Sequence, residues 1–227
     1  MRIVFNNIKN FRDLGSYPTK EGKYTLNKTF YRSGVPLELD SNEIDRIKDL
    51  NISTVIDLRT EDEVKRKPNA LTKLDYIKYY NVSLLGDKCP EFEKDIPIGY
   101  INILSNKETI RKVFEIILNS EKAVLFNCTA GKDRTGVIAM LLLKLADCYD
   151  EDILVDYQVS YTYIKEDIRK MHEDNPDLPA FLGGSKLEYM EETLKLFSEK
   201  YKNINEYFSY LGFKPNEVKK IKSKIVK

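Results

Sequence analysis

Residues 123–126 (AVLF) run straight into residues 127–136 (NCTAGKDRTG), and this junction decides how the chain folds. The four apolar residues read as a short buried strand, and residues 135–146 read as a long apolar helix. A loop that leaves a strand and opens a helix carries backbone N–H groups with no helical partner, and the helix dipole adds positive potential there. Such a loop suits an anion, and successive N–H groups around a tight turn form a nest for it. Gly131 and Gly136 permit the turn and close packing. Cys128 and Arg134 stand six positions apart in this loop. If the loop curls round a phosphate, both side chains can meet it. Arg134 offers a planar, permanently charged fork for two phosphate oxygens. The N–H groups and dipole that would hold the phosphate also favour Cys128 as thiolate, its reactive form. Thr135 adds a hydroxyl that can donate to that sulfur.

Strands and helices alternate upstream of the loop. Residues 29–32 form a β-like run, and Asp40 and Ser41 can cap a helix over 43–50 that lines up Ile44, Ile47 and Leu50. Residues 52–58 (ISTVIDL) read as a buried strand, 60–67 as a charged helix ended by Pro68, and 76–84 (YIKYYNVSL) as an alternating strand. Residues 107–118 are amphipathic, with Ile110, Val113, Phe114, Ile117 and Leu118 at helical spacing. After Asp150 the chain reads as helices over 151–170, 185–202, 204–211 and 215–226. The clearest loop is 175–184 (NPDLPAFLGG), with Gly212 as a C-cap and Pro215 as a helix start. This pattern predicts an α/β fold: a central, mostly parallel sheet flanked by helices, with a helical C-terminal part, in one domain over 1–227.

Composition narrows the chemistry. Lys and Arg number 37 against 36 Asp and Glu in 227 residues, so no overall field draws the chain to nucleic acid or an anionic membrane. Three cysteines, Cys89, Cys128 and Cys148, make no disulfide framework and fit a reducing compartment. The first residues lack a signal peptide, and the longest apolar run, 137–143 (VIAMLLL), is too short to span a bilayer. The cytoplasm is the expected location, with signal-less export left open. His172 is the only histidine and reads as a surface residue, so a His-rich metal site is excluded and a Cys–His pair has one possible partner.

The pattern Cys-x5-Arg-Thr/Ser between strand and helix resembles the signature of the cysteine-dependent protein tyrosine phosphatase superfamily. CxxGKDRTG is similar to its branch of bacterial tyrosine/lipid phosphatases. Residues 10–15 (NFRDLG), 30–34 (FYRSG) and 55–59 (VIDLR) resemble that branch's N-terminal motifs, and 187–226 its helical C-terminus. The resemblance implies a phosphatase-like sheet fold and hydrolysis of phosphate monoesters. Phosphotyrosine comes first, with phosphoserine/threonine and phosphoinositides as further substrates. It implies that Cys128 attacks phosphorus and that Arg134 and the loop over Thr129, Ala130, Gly131, Lys132 and Gly136 hold the phosphate. Asp133 would be general acid and then base, Lys132 would meet a second negative group, and Thr135 would help the sulfur leave. No cofactor or metal is implied. The expected partner is a phosphorylated protein or phosphoinositide, with no nucleic acid, no stable membrane insertion and a monomeric state.

Several alternatives stay open. Asp87, after the strand at 76–84, is a second candidate for the acid. Asn127 stands where the family has His, which keeps alive a catalytically impaired phosphate-binding module of the same fold. Sulfur transfer also suits a cysteine in a nest. Asp133 is equally a natural helix cap, and Lys132 a solvated charge. Arg12 and Asp13 can brace the active-site loop or form a structural ion pair, and Asp57 and Arg59 can point into the site crevice from the end of the central strand or serve structure; both pairs read first as structural. Cys89 could oxidise with Cys128 as a protective pair, and Cys148 has no such loop around it.

Overall fold

The computed structural model describes residues 1–84 and 90–227. Among these, the strands are β1 (Arg12–Asp13), β2 (Phe30–Gly34), β3 (Ile52–Asp57), β4 (Lys78–Asn81) and β5 (Ala123–Cys128). The helices are α1 (Ser41–Asp49), α2 (Glu61–Arg66), α3 (Ile96–Ser105), α4 (Lys107–Asn119) and α5 (Asp133–Leu145), followed by α6 (Asp150–Asp174), α7 (Leu187–Tyr201), α8 (Ile204–Tyr210) and α9 (Pro215–Ser223). The strands form one sheet in the order β1-β2-β5-β3-β4. β2, β5, β3 and β4 are parallel, and only β1 runs antiparallel. This is the mostly parallel α/β sheet the sequence predicts, with helices on both faces.

β5 lies in the middle, and all of its residues are buried. A strand covered on both faces needs a continuous apolar run, and AVLF supplies one. Side chains alternate between two cores. Phe30, Ile56, Val124 and Phe126 face the core built with α3, α4, α5 and the C-terminal helices. Tyr31, Val55, Ala123 and Leu125 face Phe5, Phe11 and Ile47 of α1. α5 is buried all round because it lies between the sheet and its helical neighbours. Registers Gly34↔Cys128 and Asp57↔Asn127 bring the C-terminal ends of three strands to one edge, where open α/β sheets place their ligand sites.

Local signals set the helix starts. Asp40 caps α1 and Thr60 caps α2, each closed into a capping box by the glutamate three residues on, Glu43 and Glu63. Two expectations change. The strand expected at 76–84 shrinks to Lys78–Asn81, an edge strand with only half-buried and exposed residues. α3 (IPIGYINILS) has no counterpart in the sequence reading. It is apolar on nearly every side, so no helical stripe marks it, and Pro97 sits in its first turn, where a missing N–H costs nothing. Among the described residues no helix is long and apolar enough to cross a membrane.

Candidate active site

Cys128 ends β5, nearly buried, and residues 129–132 turn from it into α5. The outer side of this turn is held at every carbonyl. Thr129 O accepts from Val35 N at 3.2 Å. Asn10 Nδ2 donates to Ala130 O at 3.0 Å and to Gly131 O at 2.9 Å. Arg32 Nη2 donates to Gly131 O at 2.8 Å and to Lys132 O at 3.2 Å. In a trans peptide the N–H points opposite to the C=O. Carbonyls pinned outward therefore turn the amides that follow them to the concave side. Among the described residues, the amides of 129–134 donate to no other protein group. Gly131 has φ +68°, and a Cβ there would lie 2.3 Å from Ser33 C and 2.4 Å from Gly34 N. Only glycine lets the turn lie this close on the end of β2.

The bracing continues behind the loop. Asn10, itself at φ +56°, accepts at Oδ1 from Arg12 Nη1. Arg12 Nε reaches Asp156 Oδ1 at 2.9 Å, and its Nη2 reaches Asp156 O at 2.6 Å and Ser160 Oγ at 3.0 Å. Arg32 Nη1 donates to Asp156 Oδ2. Of the two readings of Arg12 and Asp13, the ion pair is not formed, whereas Arg12 braces the loop through Asn10. Asp13 instead accepts at Oδ1 from the amide of Gly15, two residues on, and at Oδ2 from the amide of Lys28, just before β2, each at 2.8 Å. Asn10 and Arg32 lie in quoted motifs without having been singled out, and Asp156 was missed altogether.

Burial pushes the Asp156 carboxyl up, but Arg12 and Arg32 outweigh it and hold it at about 2. A depressed folded pKa gives stability that is present above the unfolded carboxylate value and lost as pH falls through the folded one. We expect this ion cluster to contribute about 2 kcal/mol near neutral pH, disappearing between about pH 4 and pH 2. Urea midpoints measured down this range should fall more steeply for wild type than for Asp156→Asn. Parallel curves would show that Asp156 is not the titrating anchor.

The front of the site is set by a glutamate contact. Arg134 Nη1 and Nη2 meet Glu63 Oε2 and Oε1 at 2.6 and 2.8 Å. Thr129 Oγ1 donates to Glu63 Oε1 at 2.6 Å and accepts from Arg134 Nη2 at 3.2 Å. Arg134, against the opposing effect of burial, holds the Glu63 carboxyl well below the usual carboxylate range. Glu63 was also missed by the sequence reading. Its only local mark is the capping box, in which Thr60 N donates to Oε2 at 2.9 Å. Asp57 and Arg59 do form the expected buried pair, at 2.7 Å. Arg59 Nη1 also donates to Lys67 O at 2.7 Å, which ties α2, and with it Glu63, to the sheet.

Asp133 is the first residue of α5, and its side chain stays 43% exposed. Its Oδ1 accepts from the Tyr100 hydroxyl and lies 3.1 Å from Lys132 Nζ. Lys132 is no solvated charge: the residue is only 5% exposed, and its ammonium donates to Gly184 O at 2.5 Å. Beside them opens a cleft of about 670 Å³, walled by Ile96, Ile98 and Ile103 of α3 and by Phe181 and Leu182. Lys132, Asp133 and Arg134 line it. Gly136 does not present its amide to the loop. That N–H bonds Lys132 O at 2.7 Å, and a Cβ would come 3.1 Å from Tyr157 Cδ2, so the glycine serves close packing.

Among the described residues four buried side-chain polar atoms lack partners: Tyr31 OH, Arg32 Nε and, in the loop segment itself, Asn127 Nδ2 and Thr135 Oγ1. Asn127 Oδ1 accepts from Asn69 Nδ2 at 3.2 Å, and Asn69 also donates to Asp57. His172 is partly exposed near the end of α6, with Nε2 2.9 Å from Leu182 O. Cys148 is buried, which pushes its thiol up to about 12. Asp87 and Cys89 lie outside the described residues.

The tyrosine phosphatase family matches residues 3–227. A tyrosine-protein phosphatase from Nostoc commune is 34% identical over 145 residues, covering 60% of this chain and 49% of that protein. A relative from Cupriavidus necator is 26% identical over 174 residues, covering 68% of this chain and 61% of that protein. The chain thus spans about half to three fifths of the length of these curated relatives. Among solved structures, the core catalytic domain of the PP-IP phosphatase SIW14 from S. cerevisiae is 22% identical. It covers 71% of this chain and 96% of that chain, at a TM-score of 0.39. The family match runs through the braced loop and on to the last residue, and the chain belongs to the tyrosine phosphatase family.

Proposed function

We propose that this chain hydrolyses phosphate monoesters through a phosphocysteine on Cys128. Phosphotyrosine is the main substrate class, and phosphoserine/threonine and phosphoinositides are further candidates. The observation that carries the reading is the outward bracing of the carbonyls of residues 129–132. It leaves a ring of unpartnered amides between a nearly buried cysteine and an arginine held by a carboxylate. Preorganised donors of this kind stabilise charge where it develops in a transition state, with no reorganisation during reaction. The family match and the named relative support the substrate class. The shared core of sheet and C-terminal helices supports one domain over 1–227.

The Cys128 thiolate attacks phosphorus as the bond to the leaving oxygen breaks, and Asp133 gives that oxygen its proton. Arg134 and the loop amides take the oxygens of the phosphoryl group. Water then attacks the phosphocysteine, Asp133 takes the water's proton, and the sulfur leaves as thiolate. The Thr135 hydroxyl, buried and unpartnered, is available to donate to it. Asp87 remains the other candidate for the acid. For Lys132 to meet a second phosphate on a substrate, its ammonium must exchange the Gly184 carbonyl for that group.

The test is turnover of an aryl phosphate with chelator present, combined with a rapid-quench assay for phosphate bound to protein. Turnover that resists chelator, with a transient protein-bound phosphate, is expected. Loss of turnover with chelator would overturn the cysteine mechanism. A folded protein that binds phosphate without turnover would be the impaired binding module.

A further inference from the structure

We propose that Tyr100 is a positioning residue for proton transfer: it fixes one oxygen of Asp133 and leaves the other to serve the leaving group. The inference rests on the reading of Asp133 as the acid. Tyr100 is nearly buried in α3, and its hydroxyl meets both Asp133 Oδ1 and the Tyr157 hydroxyl, the latter at 2.7 Å. A tyrosine hydroxyl has one proton to give. With the acid's proton carried on Oδ2, Oδ1 can only accept, as it does when Asp133 carries no proton, so Tyr100 gives its proton to Oδ1 and Tyr157 must donate to the Tyr100 oxygen. The hydroxyls therefore form a directed chain, Tyr157 to Tyr100 to Asp133, in a buried setting where such bonds reinforce one another.

The two carboxylate oxygens differ. Oδ1 takes Tyr100 and the Lys132 ammonium, whereas Oδ2 takes no hydrogen bond or ion pair among the described residues. Asp133 lines the cleft with its side chain partly exposed, so Oδ2 is the oxygen open to a substrate. A carboxylate on an exposed first turn otherwise has free rotation of its side chain, and a proton donor must sit within hydrogen-bond reach of the leaving atom. Tyr100 supplies the missing constraint. The anchor is rigid, because Tyr157 is the neighbour of Asp156, the residue that holds Arg12 and Arg32 behind the loop. One turn of α6 thus fixes the phosphate cradle through Asp156 and the acid through Tyr157.

A buried tyrosine needs a hydroxyl partner in any case, so the test must separate positioning from packing. The readout is sensitivity to the leaving group. Tyrosine, with a pKa of about 10, needs its oxygen protonated, whereas p-nitrophenol leaves with little help. Tyr100→Phe should lower kcat on a phosphotyrosine peptide about 10-fold, the size of one hydrogen bond to an ion. On p-nitrophenyl phosphate the loss should be under about two-fold, with KM unchanged on both. Tyr157→Phe should show the same bias more weakly. Asp133→Asn should show it most strongly, about 100-fold on phosphotyrosine, and adding Tyr100→Phe to Asp133→Asn should cost nothing more. Equal losses on both substrates for Tyr100→Phe, or none, would overturn the positioning role while Asp133→Asn kept its bias. If Asp133→Asn shows no bias although wild type turns over, the acid reading has failed, and the inference with it. No turnover by wild type would instead be a failure of the phosphatase reading.

Discussion

Cys128→Ser is expected to lower turnover of every phosphate monoester by about 10⁴-fold or more while keeping phosphate binding. The exchange replaces sulfur by oxygen at a nearly buried site at the end of β5, and it touches none of the braces. Asn10 and Arg32 still turn the carbonyls outward, and Glu63 still holds Arg134. The cradle therefore survives. The nucleophile does not, because a hydroxyl is a far weaker acid and a poorer nucleophile than a thiol. Binding of inorganic phosphate, followed by calorimetry, and steady-state kinetics on the same preparation separate the two effects. Retained turnover in Cys128→Ser would place the nucleophile elsewhere. Equal phosphate binding by wild type and variant, with no turnover by either, would favour the binding module and turn attention to Asn127, whose buried Nδ2 has no partner among the described residues.

The parts of this fold that were legible are those written in contiguous residues. AVLF followed by NCTAGKDRTG is one strand, one turn and one helix start, and each step has a local cause. The cap Asp40 is likewise set within four residues. What holds the site is not contiguous. Asn10 lies 120 positions from Ala130, Arg32 lies 99 from Gly131, and Arg12 lies 144 from Asp156. No periodicity relates such residues; only the order of strands in the sheet brings them together. Local adjacency also misled. Arg12 and Asp13 are neighbours, but neighbouring residues of a strand point to opposite faces, so Arg12 turned to Asp156 and Asp13 to its own turn. Tyr100 was hidden for another reason: α3 is apolar in sequence on nearly every side, and a helix without a polar face shows no amphipathic stripe.

Arg134→Lys is expected to lower kcat/KM by about 1,000-fold, because a positioned arginine on a transferring phosphoryl group is worth that much or more. A lysine keeps the charge and loses the geometry. Arg134 meets Glu63 through both terminal nitrogens, at 2.6 and 2.8 Å, and a single ammonium cannot reproduce that pair while also reaching a phosphate. Glu63→Gln tests the other half of the contact. The amide keeps one oxygen, enough for the Thr60 amide or the Thr129 hydroxyl but not both, and no longer fixes the guanidinium with charge, so a loss of about 10-fold is expected. If Glu63 acts only by aiming Arg134, the two changes cannot be additive: the double variant should be about as impaired as Arg134→Lys alone. Kinetics of the three variants, with melting temperatures to confirm that each is folded, decide the matter. A double variant impaired by the product of the single losses would mean that Glu63 serves the reaction by a route that does not pass through Arg134.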